Sequence, residues 1–350
     1  MNSNFKCPIQ GNSTATQDSS DDELILANMK LCSSFDIAPI SDIPLGGFIH
    51  KYVPLFLNEV SAPFFKKEIE ASAYRLNGFS KTLTRMVEKN GHSSPSLIPR
   101  VLHFVSLSKT PQPLPFFVRM AIASALHHNP NWKAILHCSH EPLGQQWHII
   151  KHRLHLNLVP DFDYFGVAPL RHYAHKADVI RALVLKEIGG AYLDLDTLTL
   201  QSFEPLRNNK FVMGMQPSLP GQSGGLCNAI MFGQAGSQFL ELWLHEFRSF
   251  RSRGTDWLWD FISVKTPALL ARKHPALITC LRPEALFQPL WDKVEEQLFA
   301  ENRDMSLPNF AVHLWSNSIK DRLETLDEYY VRHSNSLYAS LARPVLEAGG

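Results

Sequence analysis

The segment 175–196 constrains the fold of this chain more than any other part of its sequence. Apolar residues recur at helical spacing from His175 to Ile188, which predicts a helix. Gly189 and Gly190 end it, because glycine adopts the positive φ values of helix ends without strain. The apolar run from Ala191 to Leu195 then predicts a buried strand. A helix followed at once by a buried strand is typical of α/β domains.

Two aspartates, Asp194 and Asp196, stand at the end of this predicted strand. Side chains two residues apart on a strand share a face, so both carboxylates can address one point. Carboxylates with open positions, completed by phosphate oxygens and water, suit Mg²⁺ or Mn²⁺. Such a cation stabilises a departing diphosphate as a Lewis acid, which transfer from a nucleotide-sugar requires. A solvated strand end without a metal is the alternative interpretation.

A second Asp-x-Asp pair, Asp161 and Asp163, follows Pro160 in a loop-like region. Asp-x-Asp alone is a short pattern, and its context has to decide between the two copies. No helix and no glycine pair leads into Asp161, so we do not expect this second pair to bind the metal.

Strand-like and helix-like segments alternate through the middle of the chain. This alternation predicts an α/β domain with a mostly parallel sheet. The predicted strands are 98–105, 132–137, 191–195, 211–215, 229–232 and 310–315. The predicted helices are 116–128, 175–188, 238–250 and a C-terminal group within 322–346.

The chain divides into four predicted regions. Residues 1–23 are polar and are expected to be disordered. Residues 24–97 form a helical N-terminal region, with helical periodicity from Ile49 to Glu88 and a linker at 90–96. The α/β domain occupies residues 98–320, and residues 321–350 form C-terminal helices.

Charge and cysteine content limit the partners and the compartment. The 34 basic and 33 acidic side chains leave a net charge of +1, which argues against a nucleic-acid partner. Five dispersed cysteines without a Cys-x-x-Cys pair indicate free thiols in a reducing compartment. The polar, acidic N-terminus is unlike a signal peptide, and no apolar run approaches the roughly 18 residues of a membrane span. We therefore expect a cytoplasmic protein without a transmembrane segment; a bacterial protein exported without a cleaved signal is the open alternative.

The segment 175–196 resembles a family of sugar-transferring enzymes described as having a sugar-binding region containing a DXD motif. That family includes capsular-polysaccharide and yeast mannosyl-type transferases and is distantly similar to the glucosylating clostridial toxins. Looser likeness extends to 98–103, 228–231 and 311–316, so the resemblance covers roughly residues 98–320. The residues that match the signature are Ala177, Asp178, Arg181, Gly189, Gly190, Tyr192, Asp194 and Asp196.

The resemblance implies a GT-A fold, an α/β domain with a Rossmann-like nucleotide-sugar-binding half. It implies a UDP-sugar donor, or GDP-mannose, and retention of the anomeric configuration. The catalytic residues implied by the match are Asp178, Arg181, Asp194 and Asp196. The donor-binding residues implied are Phe104, Val105, Asp178, Arg181, Tyr192, Asp194, Asn228 and Trp315.

The same resemblance implies Mn²⁺ or Mg²⁺ held by Asp194, Asp196 and His313. The family often continues to Ser-Trp where this chain has Ser318-Ile319, so a neighbour of His313 remains an alternative third ligand. From the residues alone, Asp178 and Arg181 can also form a local ion pair on a helix face. His313 and Trp315 can likewise belong to an ordinary strand, and Asn228 to a turn.

Two other classes of protein compete with a transferase. The sequence Gly-Gln-Ser-Gly-Gly at 221–225 fits the nucleophile elbow of α/β hydrolases, with Ser223 as nucleophile. The elbow needs a helix directly after the serine, whereas a strand-like segment follows here. A non-catalytic nucleotide-sugar-binding or protein-interaction module is the other alternative. The acceptor stays open between a glycan, a lipid, a small molecule and a protein.

Overall fold

The computed structural model describes residues 66–89, 97–216, 224–248, 250, 260–300 and 310–350. The predicted disordered N-terminus, the helical region before residue 66 and the predicted linker 90–96 lie outside these ranges. The strands are β1 Val101–Ser106, β2 Lys133–Cys138, β3 His155–Leu158, β4 Tyr164–Phe165, β5 Ala168–Pro169, β6 Gly190–Leu193, β7 Thr197–Thr199, β8 Phe211–Gln216, β9 Gly225–Gly233, β10 Thr279–Leu281 and β11 Ala311–His313. The α-helices are α1 Lys66–Lys89, α2 Phe116–His128, α3 Gln145–Ile150, α4 Tyr173–Glu187, α5 Gln238–Phe247, α6 Thr266–Lys273, α7 Pro283–Leu286, α8 Val294–Phe299, α9 Lys320–Glu324, α10 Glu328–His333 and α11 Leu337–Glu347.

A seven-stranded sheet forms the centre of the described part, with the strand order β10-β8-β9-β6-β1-β2-β3. The pairs β3–β2, β2–β1, β1–β6 and β8–β10 are parallel, whereas β9 runs antiparallel to both of its neighbours. The fold class predicted from the sequence, an α/β domain on a mostly parallel sheet, is confirmed.

One continuous hydrophobic core joins helices α1, α4 and α5 to the sheet. Helix α4 packs directly on β1 and β6, and α1 packs against α4. Helix α2 instead packs on β7 and on the C-terminal helix α11. The small sheet of β7 and β11 is antiparallel and connects the C-terminal part to the turn after β6.

The glycine pair after α4 is held by close packing. Gly189 and Gly190 have φ values of +71° and +117°, which side chains rarely tolerate. A Cβ atom on Gly190 would lie 2.3 Å from the carbonyl oxygen of Val101 in β1. The pair therefore ends α4 and also lets β6 approach β1, so the start of the strand that carries the aspartates is fixed.

The observed elements differ from the predicted ones mainly at their ends. Helix α4 begins at Tyr173, two residues before the predicted start, and β9 is longer than the predicted 229–232. The predicted strand 310–315 stops at His313, because Trp315 adopts a φ of +51° that no strand contains. None of the described helices is long and apolar enough to cross a membrane.

Candidate active site

Asp194 and Asp196 lie in the tight turn between β6 and β7. The backbone N–H of Asp194 donates to the Ala229 carbonyl of β9 at 2.8 Å. Its carbonyl accepts from the N–H of Thr197 at 3.1 Å. The Asp194 side chain is half-buried and that of Asp196 is buried. The turn is thus held by the sheet, and its two carboxylates have little freedom.

His313 reaches the aspartates from β11, 117 residues beyond Asp196. The antiparallel pairing of β11 with β7 sets His313 opposite Thr197. Its Nε2 lies 3.1 Å from Asp196 Oδ1 and 3.9 Å from Asp194 Oδ2. The Ser316 N–H donates to Asp196 Oδ2 at 2.8 Å. The structure therefore brings together the three residues proposed as metal ligands.

Burial and close neighbours decide the charges of these three groups. Burial alone would raise the pKa of Asp196, but the His313 ring and the Ser316 N–H outweigh it and hold this pKa well below its usual range. Burial lowers the pKa of His313, but Asp196 and Asp194 outweigh that effect and raise it. Burial raises the pKa of Asp194, and the charge of Arg181 opposes this rise. Asp196 is therefore a carboxylate at neutral pH.

Arg181 of α4 joins the helix to the turn. Its Nη1 donates to the Asn228 carbonyl at 3.0 Å and to Asn228 Oδ1 at 3.1 Å. The same Nη1 lies 3.2 Å from Asp194 Oδ1, and Asp178 Oδ1 lies 3.5 Å from Nε. Asp178 also accepts a hydrogen bond from Asn228 Nδ2 at 2.8 Å. Asp178, Arg181 and Asn228 are all buried, so they form one connected polar cluster behind Asp194.

Tyr192 belongs to the same cluster. Its hydroxyl donates a short hydrogen bond to Asp194 Oδ1, and the Arg181 guanidinium stands 4.5 Å from its ring centroid. Only 1% of Tyr192 is exposed, and burial raises the pKa of its hydroxyl well above the usual range. Tyr192 therefore holds Asp194 in place from inside the protein.

A cavity of about 340 Å³ opens at the two aspartates and His313. Val105, at the end of β1, lines it. Phe104 is fully buried and is not part of the cavity wall, because successive strand residues point to opposite faces of a sheet. The residues that line the cavity are Val105, Phe117, Val118, Asp194, Leu195, Asp196, His313, Trp315, Ser316, Asn317 and Ser318.

The sequence did not predict three of the residues in this cavity wall. Phe117 and Val118 stand in the first turn of α2, where an apolar residue gives no sign of facing a cavity rather than the core. Ser316 lies inside the segment 311–316 that carried the resemblance, but its contribution is a backbone N–H. A backbone donor leaves no signal in the sequence.

Trp315 lines the cavity with its ring rather than with its hydrogen-bond donor. The indole Nε1–H donates to the Pro289 carbonyl at 2.9 Å. The ring centroid lies 4.2 Å from that of His313 and 5.3 Å from that of Trp291. In this arrangement Trp315 offers an apolar ring surface to a bound ligand.

The second Asp-x-Asp pair has a structural role. Lys176 Nζ lies 3.3 Å from Asp161 Oδ1 and 2.8 Å from Asp163 Oδ1. The lysine is buried whereas both carboxylates are exposed, so the pair neutralises a buried cation. Ser223 of the hydrolase-like motif lies outside the described residues, but strand β9 begins at Gly225 where a nucleophile elbow would need a helix.

The three candidate ligands fit one divalent cation. An oxygen of each carboxylate and a nitrogen of His313 all lie within 4.8 Å of one another. Ligands of one such ion at about 2.1 Å are separated by no more than about 4.2 Å, so a small side-chain adjustment closes the site. Two carboxylates and one imidazole beside an open cavity suit Mn²⁺ or Mg²⁺ with phosphate oxygens in the remaining positions.

Two likenesses to known proteins define the class of this chain. Residues 115–212 match a family model described as "Glycosyltransferase sugar-binding region containing DXD motif". The "Glucan organizing enzyme 1" of Cryptococcus neoformans var. grubii serotype A is 33% identical over 269 residues, which cover 71% of this chain and 71% of the fungal protein. The chain belongs to the DXD-motif glycosyltransferases, and it is an enzyme of sugar transfer.

Several solved glycosyltransferases are distantly similar in structure. They include the PaToxG glycosyltransferase, at 14% identity and a TM-score of 0.38, covering 79% of this chain and 98% of that one. The galactosyltransferase LgtC has 12% identity and a TM-score of 0.34, covering 65% of this chain and 98% of that one. GlyE of Streptococcus pneumoniae TIGR4 has 10% identity and a TM-score of 0.39, covering 71% of this chain and 64% of that one. The family assignment rests on the family model and the fungal relative.

Proposed function

We propose that this chain is a metal-dependent glycosyltransferase of GT-A type that uses a UDP-sugar, or GDP-mannose, and retains the anomeric configuration. The observation that carries the proposal is the meeting of Asp194, Asp196 and His313 on one wall of a cavity. The buried cluster of Arg181 and Asp178 stands directly behind that wall. A donor diphosphate fits such a site, because it supplies the oxygens that complete the shell of a hard cation.

Asp194, Asp196 and His313 would hold the cation, which stabilises the negative charge that develops on the leaving diphosphate. The side chains of the cluster act by position. Arg181 fixes the Asp194 carboxylate through Nη1, and Tyr192 fixes the same oxygen through its hydroxyl. Preorganised groups of this kind need no rearrangement during the reaction, which is the source of their effect on its rate.

Asp178 and Arg181 are the residues we propose for the hydroxyls of the transferred sugar. Both are buried in this arrangement, and Asn228 bridges them by hydrogen bonds to each. A sugar hydroxyl can replace one of these internal bonds without leaving a polar atom unpaired. Asn228 is the residue that would change its partners when the donor binds.

The fungal relative suggests which class of acceptor to test first. The name of that protein links it to glucan. Glucan oligosaccharides are therefore the first acceptors to supply, before lipid, small-molecule and protein acceptors. Transfer to glucan would extend the proposal to an acceptor class, whereas release of nucleotide alone would support only the donor reaction.

The test is release of nucleoside diphosphate from UDP- and GDP-sugars with Mn²⁺, with Mg²⁺ and with EDTA. Asp196→Asn keeps the size of the side chain but removes its charge, and we expect it to lower kcat/KM by about 10³-fold, because metal stabilisation of the leaving group contributes several kcal/mol. The matched control is Asp163→Asn in the second Asp-x-Asp pair, which we expect to remain fully active. Full activity of Asp196→Asn would refute the site.

A non-catalytic module predicts a different result in the same assay. Such a protein would bind a nucleotide-sugar in a metal-dependent way and release no product from any donor or acceptor. Binding without turnover, measured by calorimetry on the same preparation, would replace the proposed function with that alternative. Neither binding nor turnover would reject both.

A further inference from the structure

Three buried polar side chains form a row across the sheet at a distance from the candidate active site. Asn157 of β3 donates from Nδ2 to His137 Nδ1 at 3.0 Å. His137 Nε2 of β2 lies 3.0 Å from His103 Nδ1 of β1. His103 Nε2 then lies 2.8 Å from the carbonyl oxygen of Gly189. Both histidines are fully buried, so each of these polar atoms needs its partner.

The chemistry of the two ends leaves one arrangement of protons. A carbonyl oxygen only accepts, so the His103 Nε2 atom must carry a proton. The Nδ1 atom of a neutral His103 then accepts, and it must receive its hydrogen bond from His137 Nε2. The remaining nitrogen of His137 accepts from the Asn157 amide. All three hydrogen bonds are satisfied with both rings uncharged.

The surroundings keep both rings neutral at ordinary pH. Burial lowers the pKa of His103 to about 4, and the hydrogen bond to Gly189 opposes this only in part. Burial lowers the pKa of His137 well below its usual value, and the nearby rings of His103 and His155 lower it further. Phe79 of α1 meets the His137 ring edge-on and adds an apolar contact.

The row ends at the point where the aspartate-bearing strand begins. Gly189 follows the C-terminal end of α4, and Gly190 is the first residue of β6. Register pairs His103 with Tyr192, so the two side chains share one face of the sheet. Tyr192 in turn holds Asp194 by its hydroxyl. The orientation of the Gly189 carbonyl is therefore linked to the start of β6, the strand that leads directly into Asp194 and Asp196.

We propose that His103 and His137 are positioning residues for the candidate active site, with Asn157 setting the direction of their hydrogen bonds. The row fixes the peptide that follows Gly189 and thereby the strand that ends in Asp194. A metal site requires its carboxylates within a few tenths of an ångström, so a loosened strand start lowers metal affinity and turnover together. This inference rests on the proposed function, because its readouts are Mn²⁺ binding and nucleotide release.

Asn157→Asp gives the sharpest test, because it changes hydrogen-bond direction without changing size. A carboxylate at 157 accepts only, so His137 must donate from Nδ1. With His137 neutral, donor and acceptor exchange roles in each hydrogen bond of the row. His103 Nε2 then has no proton and points a lone pair at the Gly189 carbonyl oxygen. With His137 protonated, the original direction returns, because the charged ring donates from both nitrogens and pairs with the new carboxylate.

Asn157→Asp should therefore acquire a pH dependence that the wild-type chain lacks. We expect its kcat/KM, relative to wild type, to fall about 10-fold or more between about pH 6 and about pH 9, as His137 loses its proton. The Mn²⁺ affinity measured by calorimetry should fall in parallel. The matched control is Asn129→Asp, the same change at a buried asparagine that bonds Ala125 and Phe203. The kcat/KM of this control, divided by the wild-type value at the same pH, should stay constant with pH.

Variants at His103 test the role of the ring itself. His103→Gln keeps an amide donor for Gly189 and an oxygen to accept from His137, so we expect activity within about 3-fold of wild type, whereas His103→Leu should lose about 100-fold. If His103→Leu does not fold, two measurements still test the proposal: the pH dependence of the relative kcat/KM of Asn157→Asp, and the activity of His103→Gln.

The outcomes separate this inference from the proposed function. A wild-type chain that neither binds Mn²⁺ nor releases nucleotide would overturn the proposed function and this inference with it. A wild-type chain that does both, while Asn157→Asp follows the Asn129→Asp control at every pH, would overturn the inference alone. A relative kcat/KM that falls with rising pH in Asn157→Asp, and not in Asn129→Asp, would support the inference.

Discussion

Arg181 illustrates how much of the candidate site depends on the shape of one side chain. Its guanidinium contacts Asn228, Asp194 and Asp178 and lies over the Tyr192 ring. A lysine at this position keeps the positive charge but has neither the planar fork nor the flat surface. The buried negative charges of Asp194 and Asp178 would then be only partly balanced by hydrogen bonds and positive charge.

We expect Arg181→Lys to lower kcat/KM by about 100-fold and the free energy of unfolding by about 3 kcal/mol, because it breaks a buried, hydrogen-bonded ion cluster. Steady-state kinetics and urea unfolding measure the two effects. Arg100→Lys is the control, since both side chains of the Arg100–Glu204 ion pair are only half-buried. We expect that change to cost less than about 1 kcal/mol and to leave activity unaltered. Equal effects of both changes would contradict a special role for Arg181.

At the same scale, the sequence identified residue types better than it identified their contacts. Asp194, Asp196 and Arg181 were singled out, and in the structure Asp194 lies beside both of the others, 3.2 Å from Arg181 Nη1 and within 4.8 Å of Asp196. The sequence did not reveal that Tyr192 bonds Asp194 from inside the protein. It also did not reveal that Trp315 uses its N–H on Pro289, because side-chain orientation depends on packing by segments far away in the chain.

Among the elements, the connection between α4 and β6 depends most on backbone geometry. Gly190 has a φ of +117°, and an added Cβ would lie 2.3 Å from the Val101 carbonyl and 3.2 Å from His103 Nε2. The two strands cannot separate without losing their pairing. Alanine at this position therefore combines backbone strain with overpacking.

We expect Gly190→Ala to lower the free energy of unfolding by about 3 kcal/mol or more and to abolish most of the activity, because β6 must shift. Gly78→Ala in the exposed part of α1 is the contrasting change, since nothing lies within 4 Å of its added Cβ. It should stabilise the protein by about 0.5–1 kcal/mol through helix propensity. Thermal unfolding of both variants checks these opposite signs, and a stable, active Gly190→Ala would disprove the account.

The local order of elements could be predicted, whereas their long-range pairing could not. The helix, glycine pair and strand of 175–196 follow from periodicity and glycine geometry, and they appear as α4 and β6. The antiparallel pairing of β11 with β7 delivers His313 to Asp196 from 117 residues away. No local pattern specifies that pairing, and only the family resemblance indicated His313. The row from Asn157 to Gly189 joins three strands and leaves no sequence periodicity.

At the scale of the whole molecule, the carboxyl ends and the amino ends of the parallel strands have different roles. The candidate active site lies beyond the carboxyl ends of β1 and β6, the usual place for ligands in open α/β sheets. At the opposite end, Glu204 accepts hydrogen bonds from Arg100, Trp132 and Arg207. Arg100 precedes β1 and Trp132 precedes β2, so this carboxylate connects the starts of two central strands. We infer that it contributes to stability and not to catalysis.

The charge of Glu204 links this connection to pH. The hydrogen bond from Arg100, with further bonds from Trp132 and Arg207, outweighs partial burial and lowers the pKa of Glu204 from 4.5 to about 2. Between these two pH values the unfolded chain binds more protons at this residue than the folded protein does, so its contribution to stability falls as the pH falls. The contribution is complete above about pH 4.5 and is lost as the pH approaches about 2.

Glu204→Gln should therefore unfold at a lower temperature than wild type at pH 7, and the difference should shrink toward zero as the pH falls to about 2. Because the carboxylate is partly exposed, screening limits the effect at pH 7 to about 1 kcal/mol, or about 2–4 °C in Tm. Calorimetric scans of both proteins between pH 7 and the acid limit measure the difference, and nucleotide release at pH 7 should be unchanged. A difference in Tm that stays constant with pH would mean that packing, rather than charge, accounts for the role of Glu204. A loss of turnover in the folded variant would mean that the two ends of the strands are coupled.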